Sequence, residues 1–225
     1  WRDENLTDFL LAMASNNFIS DFHLMRYSLL EERQLEGLVT LIQSNTTLQE
    51  VSFQQHANGR KDCVSLEGFL HALSRNTSVW RWQFEGIPFS RRELKVLASL
   101  LKANNTIKVL ALDSANIDNV GAKYFGDALK FNQSLDQLHL SENDGITVMG
   151  ATRFAQALKF NTTLSQIDFG SHKNKIGRSS VLHGLKFNTK LTELYCEANF
   201  DSTDAIGILL AMDTRGAMMD EEETH

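Results

Sequence analysis

At 225 residues with 42% hydrophobic content, the chain can bury a continuous core, and 28 acids against 22 bases leave a net charge of −6. No apolar run approaches the roughly 20 residues a membrane-spanning helix needs, so no membrane insertion is expected. Two cysteines, Cys63 and Cys196, fall in different parts of the chain, which excludes a disulfide framework and favours a reducing, intracellular and most simply cytoplasmic setting.

In chain order, a helix at 4–14 leads into NNFISDFHL at Asn16. The same pattern returns as NTTLQEVSF at Asn45, NTSVWRWQF at Asn76, NNTIKVLAL at Asn104, NQSLDQLHL at Asn132, NTTLSQIDF at Asn161 and NTKLTELYC at Asn188. Seven copies spaced 27 to 31 residues apart mark a repeat architecture. After each Asn the spacing is apolar-x-x-apolar-x-apolar, as in Leu135, Leu138 and Leu140, and its alternating end predicts a strand with one buried face. The second half of each unit has helical spacing, as in Phe125, Ala128 and Leu129. Helices are expected at 34–43, 65–74, 91–102, 121–130, 150–159 and 178–187, with a short closing helix at 203–212. No unit can bury both halves alone, so strand must stack beside strand and helix beside helix, giving a parallel sheet lined by helices on one side.

The element boundaries have their own signals. Ser28 with Glu31 and Ser90 with Glu93 show capping-box spacing. The recurring Asn is expected to close each helix in a left-handed conformation. Asn5, Asn45, Asn76, Asn104, Asn132 and Asn161 also stand in N-x-S/T, but five of the six are the repeat corner, and turn chemistry is the expected reason for the pattern. Trp1 rather than Met at the start suggests a piece of a longer protein. The expected organisation is a single repeat domain over 1–212 and an acidic tail over 213–225 holding Asp220, Glu221, Glu222 and Glu223.

On these residues the chain resembles the leucine-rich repeats, and its period resembles their ribonuclease-inhibitor-like subtype. Leu135, Leu138, Leu140, Asn143, Ile146, Gly150, Phe154, Ala157 and Leu158 match the repeat of that family, as do Ile107, Leu110, Leu112, Asn116 (one residue late), Ile117, Gly121, Phe125, Ala128 and Leu129. The first three units lack the Asn at the expected place. The resemblance implies an α/β solenoid, a curved horseshoe with the parallel sheet on the concave side and helices on the convex side. It also implies recognition of other proteins.

Charge then points to a face. In each strand the residues flanking the buried middle position, and the second one after it, should look onto the concave surface. Across the seven units these positions hold the acids Asp21, Glu50, Glu85, Asp113, Asp168, Glu193 and Glu197 but a single Arg, Arg81, with His139 and Tyr195 among the rest. Strands about 4.8 Å apart would spread that charge over roughly 30 Å. An acidic face repels phosphate backbones, so nucleic acid is not an expected partner, whereas a basic protein segment would be steered to it. Solvated strand faces are polar in any case, and the acids could serve solubility alone. Lys102, Lys130, Lys159 and Lys186 recur just before the corner Asn, either as a docking stripe for an acidic partner or as cations on helix dipoles. Phe131, Phe160 and Phe187 recur beside them and are expected to form a core spine. Trp80 is the leading candidate for an exposed aromatic anchor.

Motifs for catalysis, metal or cofactor binding are absent, so no cofactor is expected. The leading expectation is a non-enzymatic protein-binding scaffold: a sensing arm of a receptor, a cytoskeletal cap like the repeat domain of tropomodulin, or an effector arm. One alternative is a GTPase-activating protein, given a resemblance in repeat subtype and acidic tail to the Ran GTPase-activating protein. Another is a spacer in a longer solenoid. The apolar stretch Ile206 to Met212, followed by Met218 and Met219, suggests self-association through the C-terminal edge.

Overall fold

Each strand pattern becomes one strand of a single parallel sheet. A computed structural model describes residues 4–25, 32–55, 65–170 and 185–195. In it β1 (Asp21–Met25), β2 (Glu50–Gln54), β3 (Arg81–Glu85), β4 (Val109–Ala111), β5 (Gln137–His139), β6 (Gln166–Asp168) and β7 (Glu193–Tyr195) lie side by side in chain order. The register never slips, so Phe22, Val51, Trp82, Leu110, Leu138, Ile167 and Leu194 form one row on the core side. A slip by one residue would turn every such side chain to water, which is why the alternation fixes the register.

The helices α1 (Glu4–Ala14), α2 (Glu32–Ser44), α3 (Glu67–Arg75), α4 (Arg91–Ala103), α5 (Asn119–Leu129) and α6 (Val148–Leu158) pack each on the next. Each lies within two residues of the range expected from spacing. The architecture is the α/β leucine-rich-repeat-like solenoid. The expected helix at 178–187 lies mostly outside the described residues. The one at 203–212, the tail, Cys63, Cys196 and the apolar stretch from Ile206 lie wholly outside them.

The corner asparagines differ from expectation in an instructive way. Asn76 and Asn104 have φ of −71° and −79° with extended ψ, so they are not left-handed caps. What the corner uses is the side chain. The Asn161 Oδ1 accepts from the backbone of Thr163 and Leu164, while its Nδ2 donates to the carbonyls of Leu129 and Asn132 in the preceding unit. Asn45, Asn132 and Asn188 do the same. Each corner therefore closes its own turn and staples itself to the unit before. These side chains are buried and their Nδ2 atoms are occupied, which leaves no room there for a glycan.

A second correction concerns aromatic rings. Phe131, Phe160 and Phe187 are 60%, 65% and 61% exposed and are no core spine. They stand two residues past the last buried leucine of the helical stripe, on the outer margin of the corner. The buried aromatic cluster is in the first half, where Phe53 stacks on Phe84 at 5.7 Å and Phe84 on Trp82 at 6.0 Å, with Phe69 edge-on to all three.

The capping box at α4 forms, and Glu93 also accepts from the Leu66 amide one repeat earlier, at 2.9 Å. Ser28 and Glu31 lie outside the described residues. Gly150 is required by contact: a Cβ there would sit 2.7 Å from the Asn119 Oδ1 that accepts the Gly150 N–H.

Candidate binding face

The face opposite the helices is built from two rows in register. One runs Asp21, Glu50, Arg81, Val109, Gln137, Gln166, Glu193. The other runs His23, Ser52, Gln83, Ala111, His139, Asp168, Tyr195. The expected positions within the described residues share one face, yet they do not form one even acidic surface. Val109 and Ala111 are buried, so β4 sets an apolar floor into this face. The floor separates two polar groups.

The first group is partly self-neutralised. Arg81 Nε lies 3.5 Å from Glu50 Oε1, and its guanidinium sits 5.2 Å from the ring centre of Trp80. Trp80 is accordingly half-buried under its neighbour rather than presented as an anchor. Asp21 and Glu85 are exposed at the two ends of the strands, and Asp21 accepts from the Ser20 hydroxyl.

The second group gathers around the C-terminal ends of β4 to β7, with Glu193 at the start of β7 joined to it through Tyr195. Asp113 accepts the Ser141 amide at 2.7 Å. His139 Nδ1 lies 3.7 Å from Asp168 Oδ2, and the other Asp168 oxygen accepts the Gly170 amide at 2.6 Å. Tyr195 donates its hydroxyl to Glu193 at 2.8 Å, and both are exposed. Burial pushes the Asp113 carboxyl above its ordinary value; the nearby Asp168 adds to this, while the Ser141 amide and His139 oppose it. The hydrogen bond to the Glu193 carboxylate raises the Tyr195 phenol by holding its proton. Asp113, His139, Asp168, Glu193 and Tyr195 thus form one connected electrostatic neighbourhood. Glu197 lies outside the described residues.

Local backbone geometry places this group. Ser114, Asn116 and Glu142 are left-handed, with φ of 52°, 60° and 57°, and Ser114 donates its hydroxyl to Glu142 at 2.6 Å. Gly170, at φ +48°, passes so close to Ser141 that any Cβ would strike its side chain. Asn143 anchors the turn: its Oδ1 accepts from Ala115 and Ile117, and its Nδ2 donates to Leu112, Leu140 and Ser141. Asn116, matched to the same repeat position from sequence, is exposed and makes no such ladder. The Asn143 of the following unit serves that turn in its place. Ser141 and Gly170 fall at the face positions one repeat after Asp113 and Ser141 respectively, but nothing in the sequence singles them out as binding residues. Among the described residues no three His, Cys, Asp or Glu side chains come together as a metal site, and no helix is long and apolar enough to cross a membrane.

No family model matches the sequence, and no curated protein matches it. Solved structures do. A structure described as the actin-binding site 2 of leiomodin-1 superposes with a TM-score of 0.54 at 22% identity, over 60% of this chain and 79% of that one. The C-terminal domain of tropomodulin from Caenorhabditis elegans superposes with a TM-score of 0.54 at 11% identity, over 84% of this chain and 97% of that one. The chain shares their fold. At these identities the likeness is one of backbone architecture.

Proposed function

We propose that the chain is a protein-recognition module of ribonuclease-inhibitor-like repeats, acting by binding and not by catalysis, in an intracellular setting. Its ligand is a basic segment of a protein partner, seated over the C-terminal ends of β4 to β7. The observation that carries this reading is the gathering of Asp113, His139, Asp168, Glu193 and Tyr195 on one open face. Glu193 and Tyr195 are exposed at its rim, where a charged partner can be steered and an aromatic ring can be covered. Actin is the partner to test first, because one solved structure of this fold is described as an actin-binding site. Sedimentation with actin filaments and titration against monomeric actin test it. Saturable binding that weakens as salt rises supports an acidic docking face. Absence of binding to both forms removes actin, and salt-insensitive binding removes the electrostatic reading.

A further inference from the structure

A different surface lies at the helix C-terminal margin, away from the acidic group. Lys102, Lys130, Lys159 and Lys186 each stand two residues before a corner Asn, and Phe131, Phe160 and Phe187 each stand one residue before it. The two rows interlock. The Lys102 ammonium sits 4.1 Å from the centre of the Phe131 ring of the next repeat, and Lys159 sits 5.1 Å from the Phe187 ring. Lys130 instead pairs with Asp127 at 2.9 Å. Phe131 and Phe160 are both more than half exposed, and they stand in register on adjacent repeats, not scattered singly. A helix-dipole role accounts for the lysines but gives no reason for exposed rings between them.

The chemistry selects the occupant. Alternating cations and apolar rings complement a ligand that is acidic and apolar by turns. Single-stranded nucleic acid would need open ring faces for base stacking, and here lysines already cover a face of Phe131 and of Phe187. A membrane surface would favour a broad apolar face at one depth, whereas this is a single line. Neighbouring helices pack about 8–10 Å apart, and the line stands just past their C-terminal ends. A polyproline-II segment rises about 3.1 Å per residue with three residues per turn, so every third side chain returns to the same side at about 9 Å.

We propose that this margin is a docking track for an extended acidic polypeptide segment bearing an apolar side chain at every third residue. The apolar groups sit against Phe131 and Phe160, and the acids face the lysines.

The probe is a dye-labelled peptide of Leu-Glu-Asp triplets, about twelve residues long so as to span three repeats, read by fluorescence anisotropy at low salt. The intact chain should bind it, and a peptide with every Leu replaced by Ser should bind at least about tenfold more weakly, a difference of about 1.4 kcal/mol. The Phe131→Ser/Phe160→Ser variant and the Lys102→Gln/Lys159→Gln variant should each show the same loss. An Asp168→Asn/Glu193→Gln variant should bind as the intact chain does, which separates this track from the acidic face. Circular dichroism melting checks the fold of each variant; should the phenylalanine variant unfold, the lysine variant and the Ser peptide decide. No binding, or binding unchanged in the variants and with the Ser peptide, overturns the proposal. So does failure to bind the peptide with residue-dependent binding to vesicles of phosphatidylcholine and phosphatidylserine, which would make the margin a lipid site.

Discussion

The first three strands run five residues each and the later four run three. In the first half the ladder continues through Met25, Gln54 and Glu85, and the space behind it is filled by stacked rings of Phe53, Phe84 and Trp82. In the middle units the ladder stops early because Asn143 takes over five backbone partners that would otherwise need strand pairing. The chain is then free to turn left-handed at Ser114, Asn116 and Glu142, and those turns carry Asp113 and Ser141 to the open face. One half is held by aromatic packing. The other is held by a buried polar ladder, and the candidate site grows out of that ladder.

This comparison can be broken by substitution. Trp82→Ala removes a fully buried ring and should cost about 3–5 kcal/mol, read by urea unfolding. Phe131→Ala, on an exposed ring, should stay within about 0.5 kcal/mol. A large loss at Phe131 would restore it to the core and undo the distinction. Asn143→Gly should cost about 3 kcal/mol or more, since each orphaned buried backbone group costs about 1–3 kcal/mol. Asn116→Gly, at φ +60°, should be neutral or slightly stabilising because glycine adopts that conformation readily. Equal losses at the two asparagines would mean that the ladder does not depend on Asn143.

Two aspartates sharpen the contrast through pH. Burial raises the Asp113 carboxyl, so the folded state holds its proton more tightly than the unfolded chain does, and charging it opposes folding. Stability from this group is therefore present at low pH and lost as pH rises through the raised value. Asp113→Asn should melt higher than the parent at pH 7, and the gap should close as pH falls below about 4. Asp118, the N-cap of α5, is the reverse. Burial pushes it up, but the Gly121 amide, the Arg91 guanidinium and the Val120 amide outweigh that and hold it below the ordinary value. Its contribution is present above about pH 4 and lost as pH falls through the lowered value, so Asp118→Ala should destabilise at pH 7 and progressively less below. The smallest effect belongs to the half-exposed Glu50–Arg81 pair, where Glu50→Gln should change stability by no more than about 1 kcal/mol, and less in high salt.

The repeat period made most of the fold legible, because a strand and a helix in every unit can bury their faces in only one stacked arrangement. Boundaries followed from Ser90 and Glu93, whose capping box closes within one helical turn, although Glu93 also reaches the Leu66 amide one repeat earlier. The errors arose where residue type or recurrence in register does not determine backbone conformation or burial. Asn76 and Asn104 carry the residue type of a left-handed cap but work through side-chain bonds in extended backbone. Phe131 and Phe160 recur in register as a core row would, yet the helical stripe ends at Leu129 and Leu158, and the rings two residues further on turn outward. The acidic positions within the described residues share the open face. Sequence could not show that Arg81 covers Glu50, or that Val109 and Ala111 sink between their neighbours.

In the proposed function a protein partner is held by the acidic group on β4 to β7. The most direct measurement is the affinity of monomeric actin for the intact chain and for an Asp113→Asn/Asp168→Asn/Glu193→Gln variant with a matched melting temperature. The intact chain should bind, and the variant should bind at least about tenfold more weakly with a shallower salt dependence. Equal affinity and equal salt dependence for the two proteins would contradict it.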